Sequence, residues 1–261
     1  MLSTAESAEP VHRHRHRCAA AALVLTIFLA ACSDSSGPPT KAVVPTPVDL
    51  ATAGTIHVDV KYAGTPPAPQ VVNMQSAPQC AAAHADPVYD MSLLVQNGQL
   101  ANAVVWIKQG LTHWVFAPPS QPVIIDQKGC VYQPHVSAAM VGQAVEFVNS
   151  DNEPHNVHGR PQQVASWNFL MSRQGASRTV YFDKPEVGIP VGCDIHPWMR
   201  AYLAVVDNPY FAVTSASGEV TLAKVPPGDY VIAAWHEKLG TKEQRVTLPP
   251  SGSVRVQLSF E

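Results

Sequence analysis

Cys193-Asp194-Ile195-His196-Pro197-Trp198-Met199 puts a thiol, an imidazole and a thioether within seven residues. A further imidazole stands upstream at His155, in Pro154-His155-Asn156-Val157-His158. Two histidines, one cysteine and a weak axial methionine are the donor set of a mononuclear copper site for electron transfer. Soft sulfur suits Cu(I) and imidazole suits Cu(II), so a mixed cage serves both oxidation states. Pro197 fixes one backbone torsion and stiffens the loop. Taken singly, a buried cysteine is a small hydrophobe and a methionine a gap filler. Their close spacing is what makes them read as ligands.

Outward from this loop, apolar side chains at Val145 and Phe147, and at Val180 and Phe182, alternate as in half-buried strands. Pro190 and Gly192 lead into Cys193, so the loop begins where a strand ends. His158 competes with His155 for the place of first imidazole. Met171, in Phe169-Leu170-Met171, reads as packing.

Further motifs flank the donors. Val131-Tyr132-Gln133-Pro134 precedes Val141-Gly142-Gln143-Ala144-Val145-Glu146-Phe147-Val148-Asn149-Ser150-Asp151, and the pair His155-Asn156 follows. With the Cys-x-x-His-x-x-Met loop, the stretch Val123 to Asp207 resembles a cupredoxin, the Greek-key β-sandwich of plastocyanin and amicyanin. The loop spacing is closest to amicyanin. The resemblance implies His155, Cys193 and His196 as strong ligands, Met199 as the axial one, and one type 1 copper per chain. It implies that Asn156 ties the two ligand loops together by hydrogen bonds. Asp194 and Ile195 stand where Thr-Pro often follows the cysteine, so a carboxylate beside the thiolate would lower the potential or alter its hydrogen bonding. The resemblance further implies a His196 edge near the surface, with Pro197 and Trp198 as an apolar docking patch for a partner.

The N-terminus reads as an export signal over residues 1–31. Arg13, Arg15 and Arg17 precede an apolar run from Ala19 to Phe28, and Leu29-Ala30-Ala31-Cys32 closes it. That run is too short for a membrane span. Small residues before cysteine resemble a bacterial lipobox, with cleavage and acylation at Cys32; the alternative is cleavage near Ala31 without a lipid. His12, His14 and His16 leave with the signal. Ser33, rather than an aspartate, follows Cys32, which points to the periplasmic face of the outer membrane. Residues 32–50, rich in proline and without periodicity, read as a tether spanning up to roughly 50 Å.

Loss of residues 1–31 removes three arginines and two glutamates, taking the formal charge from −3 to −4. A mildly acidic chain without charge blocks gives nucleic-acid binding nothing to recommend it. Of five cysteines, Cys18 leaves with the signal and Cys32 takes the lipid. An oxidising compartment needs a reason for an odd cysteine. Copper supplies it for Cys193, and Cys80 with Cys130 then form a disulfide or stand as two separate buried thiols.

Twenty-four prolines, few charges and short apolar runs favour an all-β protein. Thr214-Ser215-Ala216-Ser217-Gly218-Glu219-Val220-Thr221-Leu222 and Val225-Pro226-Pro227-Gly228-Asp229-Tyr230 resemble the carboxypeptidase regulatory-like module, a transthyretin-like β-sandwich. The Pro-Pro-Gly turn suits a strand connection, because proline presets one torsion and glycine accepts the left-handed one. Its early strands resemble Thr55 to Tyr62 and Asn102 to Ile107. The expected fold is therefore a cupredoxin sandwich plus a second small β-sandwich. Residues 51–120 and 208–261 form the scaffold with 121–207 inserted, or three pieces follow in sequence. His135 and His236 receive no role.

The expected function is single-electron transport by a lipid-anchored periplasmic copper protein. Its partners would be redox proteins such as c-type cytochromes or a dehydrogenase. Copper handling without turnover and a cell-envelope binding module are the alternatives. Enzyme activity is not expected. Multicopper oxidases and copper nitrite reductases pass electrons through histidines beside the type 1 cysteine, and here Gly192 and Asp194 are its neighbours.

Overall fold

Ile56, Val58 and Val60 recur at every second position and give Gly54–Tyr62 one fully buried apolar face, while Asp59 between them is buried in its ion pair with Arg255. The same period of two recurs at Val256, Leu258 and Phe260 in Ser253–Phe260. A computed structural model describes residues 45–261. The export signal over 1–31, the acylation site at Cys32 and the tether as far as residue 44 lie outside the described residues. Among the described residues the structure is all-β, and the one helix is Pro78–Ala82.

The described residues form four sheets. In the first, Gly54–Tyr62 pairs with Glu219–Val225 antiparallel and with Ser253–Phe260 parallel. In the second, Val104–Gln109 lies between Phe211–Val213 and Gly228–His236, and Gly240–Leu248 forms the outer edge. Ile56, Val58, Val105, Ile107, Leu222, Ile232 and Phe260 fill the core between these two.

The third sheet runs in the order Trp167–Met171, His155–Gly159, Glu186–Gly192, Arg200–Val206, Val136–Met140. The fourth joins Ser177–Val180, Val145–Asn149, Val123–Gln127 and Tyr132–Gln133. Their core holds Ile125, Val145, Phe147, Val157, Ile189 and Leu203. Phe147 is fully buried, which is worth about 1.5–3 kcal/mol in apolar burial. Gly159 is required by the packing: a Cβ there would sit 2.0 Å from the Trp167 ring.

Two features join these layers. Val104, Trp106 and Ala233 of the second sheet pack with Val136, Ala204 and Val206 of the third in a small buried cluster. The stretch from Val71 to Tyr89, closed by a bridge between those two residues, carries the helix Pro78–Ala82. Its Met74, Ala77 and Cys80 sink into the core of the third and fourth sheets, not into the core of the strands that flank the stretch in sequence. Cys80 is joined to Cys130 there, with Cα atoms 5.5 Å apart.

Candidate metal centre

The strand register brings the donors together. Gly192 pairs with His158 on one side and Arg200 on the other, so the loop 193–199 closes directly beside the strand that His155 begins. The loop is internally bonded. Cys193 N–H donates to Met199 O at 3.2 Å, and Met199 N–H donates to His196 O at 2.9 Å. The His196 amide donates to Cys193 Sγ at 3.4 Å, so the sulfur is an acceptor before any metal arrives.

His155 Nδ1 and His196 Nδ1 face each other at 3.0 Å, and Cys193 Sγ lies 4.0 Å from His196 Nδ1. Donor atoms of all three residues fall within 4.8 Å of one another. His155 is fully buried, His196 is 5% exposed and Met199 1%. With metal–nitrogen bonds near 2.0 Å and tetrahedral angles, two ligand nitrogens stand about 3.3 Å apart. The imidazole pair is within a few tenths of that spacing. The three donors and their convergence fit a copper ion.

The titration behaviour agrees with the geometry. Burial pushes His155 down, but hydrogen bonds to Cys193 and Asp151 outweigh it and its pKa lies above the ordinary value. Burial raises the Cys193 thiol; the His155 hydrogen bond and amides of Asn156, His196 and Ile195 outweigh it and bring the pKa below the usual value. Burial and the neighbouring His155 charge both lower His196.

Asp151 supports this arrangement and was not singled out by the motif reading. Its Oδ2 lies 2.9 Å from His155 Nε2, which leaves Nδ1 as the lone pair facing the cage. The same carboxylate accepts the Gly129 and Cys130 amides at 2.6 and 2.7 Å. Its place four residues before His155, after Asn149 and Ser150, was the available signal.

Asn156 links the two loops: its Nδ2 donates to Asp194 Oδ2 at 2.9 Å, and the Asp194 amide donates to Asn156 Oδ1 at 2.6 Å. The Asp194 carboxylate is occupied by His158 Nδ1, Arg160 Nη2 and Asn168 Nδ2, each at 2.9 Å. The His158 hydrogen bond leads the causes that hold its pKa down at about 2. His158 is therefore committed to Asp194 and does not join the donor cluster. Met171 is buried in the core, opposite His155 in the strand register. His236 is buried, and its pKa falls to about 4 through burial. His135 bridges Glu237 and the carbonyl of Arg200, one residue beyond Met199.

One expectation is corrected. The His196 edge does not reach the surface, because the stretch 71–89 covers it. His196 Nε2 lies 3.7 Å from Cys80 Sγ. Trp198 packs against His196, with its Nε1 donating to Cys130 O at 3.0 Å and its ring centroid 5.1 Å from that of His196. Pro197 is exposed and Trp198 half-buried. A cavity of about 450 Å³ opens beside Cys193 and Met199 instead, with Arg160, Asp194, Arg200 and Tyr202 in its wall.

No family model matches the chain. No curated protein matches it either. Among solved structures, it is similar to the Cu-containing nitrite reductase NirK from Thermus scotoductus SA-01, at 26% identity and a TM-score of 0.30. That match covers 34% of this chain and 23% of the reductase, so the chain spans under a quarter of that protein. It is similar to a Cu(I) form of an amicyanin variant at 17% identity and a TM-score of 0.29, covering 39% of this chain and 97% of that one. The purple cupredoxin from Nitrosopumilus maritimus matches at 21% identity with a TM-score of 0.28, covering 32% and 98% respectively.

Proposed function

We propose that this chain carries single electrons as a type 1 copper protein of the cell envelope. His155, Cys193 and His196 supply the strong ligands, and Met199 the axial one. The observation that carries this reading is the buried convergence of two imidazole Nδ1 atoms and one thiol on a hydrogen-bonded loop. Bound copper would supply a one-electron couple. The protein supplies the rest: Asp151 orients His155, the amides of the loop hold the thiolate, and the surrounding core keeps out water.

Lipid attachment at Cys32 would hold the protein at the periplasmic side of the outer membrane. We read residues 51–120 and 208–261 as a transthyretin-like scaffold around an inserted cupredoxin at 121–207, which accounts for the two pairs of sheets. The partner would be a redox protein such as a c-type cytochrome or a dehydrogenase. Because His196 is covered, its approach would be the cavity beside Cys193, where Arg160 and Arg200 outnumber Asp194.

The test is the visible spectrum of the exported protein loaded with Cu(II). A thiolate-to-copper band near about 600 nm is expected, absent in Cys193→Ala. A colourless protein that takes up copper only as Cu(I) would replace electron transport with copper handling.

A further inference from the structure

The second nitrogen of His196 faces sulfur. Its Nε2 lies 3.7 Å from Cys80 Sγ, and donor atoms of Cys80, Cys130 and His196 fall within 4.8 Å of one another, all three residues buried. In a tetrahedral site with metal–nitrogen bonds near 2.0 Å and metal–sulfur bonds near 2.3 Å, the two ligand atoms stand about 3.5 Å apart. The observed spacing is close to this. We propose that reduction of the Cys80–Cys130 disulfide creates a second metal site, formed by the two thiolates and His196 Nε2, for a thiophilic cation such as Cu(I) or Zn(II).

The chemistry balances with a dithiol as reductant. It cleaves the sulfur–sulfur bond, supplies two electrons and two protons, and leaves as its own disulfide. Cys80 and Cys130 become thiols, and the incoming cation displaces one proton from each.

The backbones of both cysteines are held by contacts other than the bond between their sulfurs. Cys80 N–H donates to Ala77 O at 3.0 Å in a turn whose Met74 and Ala77 are buried in the core. Cys130 is fixed through its amide on Asp151 and its carbonyl on Trp198. His84 Nε2 contacts Gly129 O at 2.6 Å, and Gln79 donates to Glu153 at 3.2 Å, so the cover keeps two further anchors. A soft cation is favoured by two thiolates and one imidazole. His196 would belong to both sites, facing one with Nδ1 and the other with Nε2.

The proposal does not depend on the copper reading, so the test removes that site's thiolate. The full chain carrying Cys193→Ala is reduced with a dithiol, freed of it without air, and titrated with Cd(II). Ultraviolet thiolate-to-cadmium absorption is the readout. Reduction should add an increment that saturates at one equivalent of cadmium. Cys18→Ser and Cys32→Ser are carried throughout so that those thiols contribute nothing, and adding Cys80→Ser should then abolish the increment. His196→Ala should weaken the binding at least tenfold. An increment that is missing, survives Cys80→Ser or ignores His196→Ala would overturn the proposal. So would loss of the native near-ultraviolet circular dichroism on reduction, because thiols of an unfolded chain are not a built site.

Discussion

The Asp151 carboxylate joins His155 to the disulfide: one oxygen lies 2.9 Å from His155 Nε2 and 2.7 Å from the Cys130 amide. A single side chain thereby sets the tautomer of one imidazole and positions the turn that helps cover the other. Partners of this kind typically matter ten- to a hundredfold in metal affinity. Asp151→Ala should weaken copper binding by roughly that factor in competition with a chelator, and Asp151→Asn by less. Unchanged affinity in both would remove Asp151 from the site's support.

The pH dependence should show the Asp194 clip. Its pKa, about 2 in the folded chain, lies below the ordinary aspartate value near about 3.9. A depressed carboxylate contributes stability that is present above the unfolded value and is lost as pH falls through the folded one. The metal-free chain should therefore lose thermal stability between about pH 4 and pH 2 more steeply than Asp194→Asn does. Parallel melting profiles of parent and variant would sink this assignment.

Electron exchange should respond to the charge of the cavity wall. Arg200 is exposed there and its side chain makes no ion pair among the described residues. Arg200→Glu should slow oxidation by hexacyanoferrate, an anion, by about three- to tenfold at low salt. Oxidation by a cationic cobalt complex should be unchanged or faster. Equal effects on both reagents would argue that electrons reach the metal elsewhere.

The disulfide closes a loop with a sequence separation of 50. Chain-entropy arguments give roughly 4 kcal/mol for a loop of this length. The double variant Cys80→Ser with Cys130→Ser should lose about 2–5 kcal/mol in chemical denaturation. A loss under about 1 kcal/mol would mean that packing of Met74 and Ala77 alone holds the cover.

The ligand loop was legible because its information is local: Cys193, His196 and Met199 lie within one turn of chain, and strand alternation at Val145 and Phe147 frames it. Counting left Cys80 and Cys130 either as a disulfide or as two separate thiols, and the structure joins them. The cover over His196 did not. Residues 71–89 have a helix of only five residues and no apolar period to show which core they would join. Nor does any local pattern place Cys80 against an imidazole 116 residues away. Asp194 sat in the motif, but its role as a clip depends on His158, Arg160 and Asn168 from neighbouring strands.

The parallel pairing of Gly54–Tyr62 with Ser253–Phe260 carries a consequence for biogenesis. Asp59 and Arg255 meet across 196 residues of sequence, whereas the sheets around the ligand loop use only residues 123–206. Pairings that distant form late, since their loop-closure cost precedes any gain. During folding the sheets around the loop 193–199 can close while Gly54–Tyr62 still waits for its neighbour, leaving an open apolar edge exposed to chaperones. The order of assembly thus shelters the loop 193–199 early and leaves its supporting layer as the vulnerable intermediate.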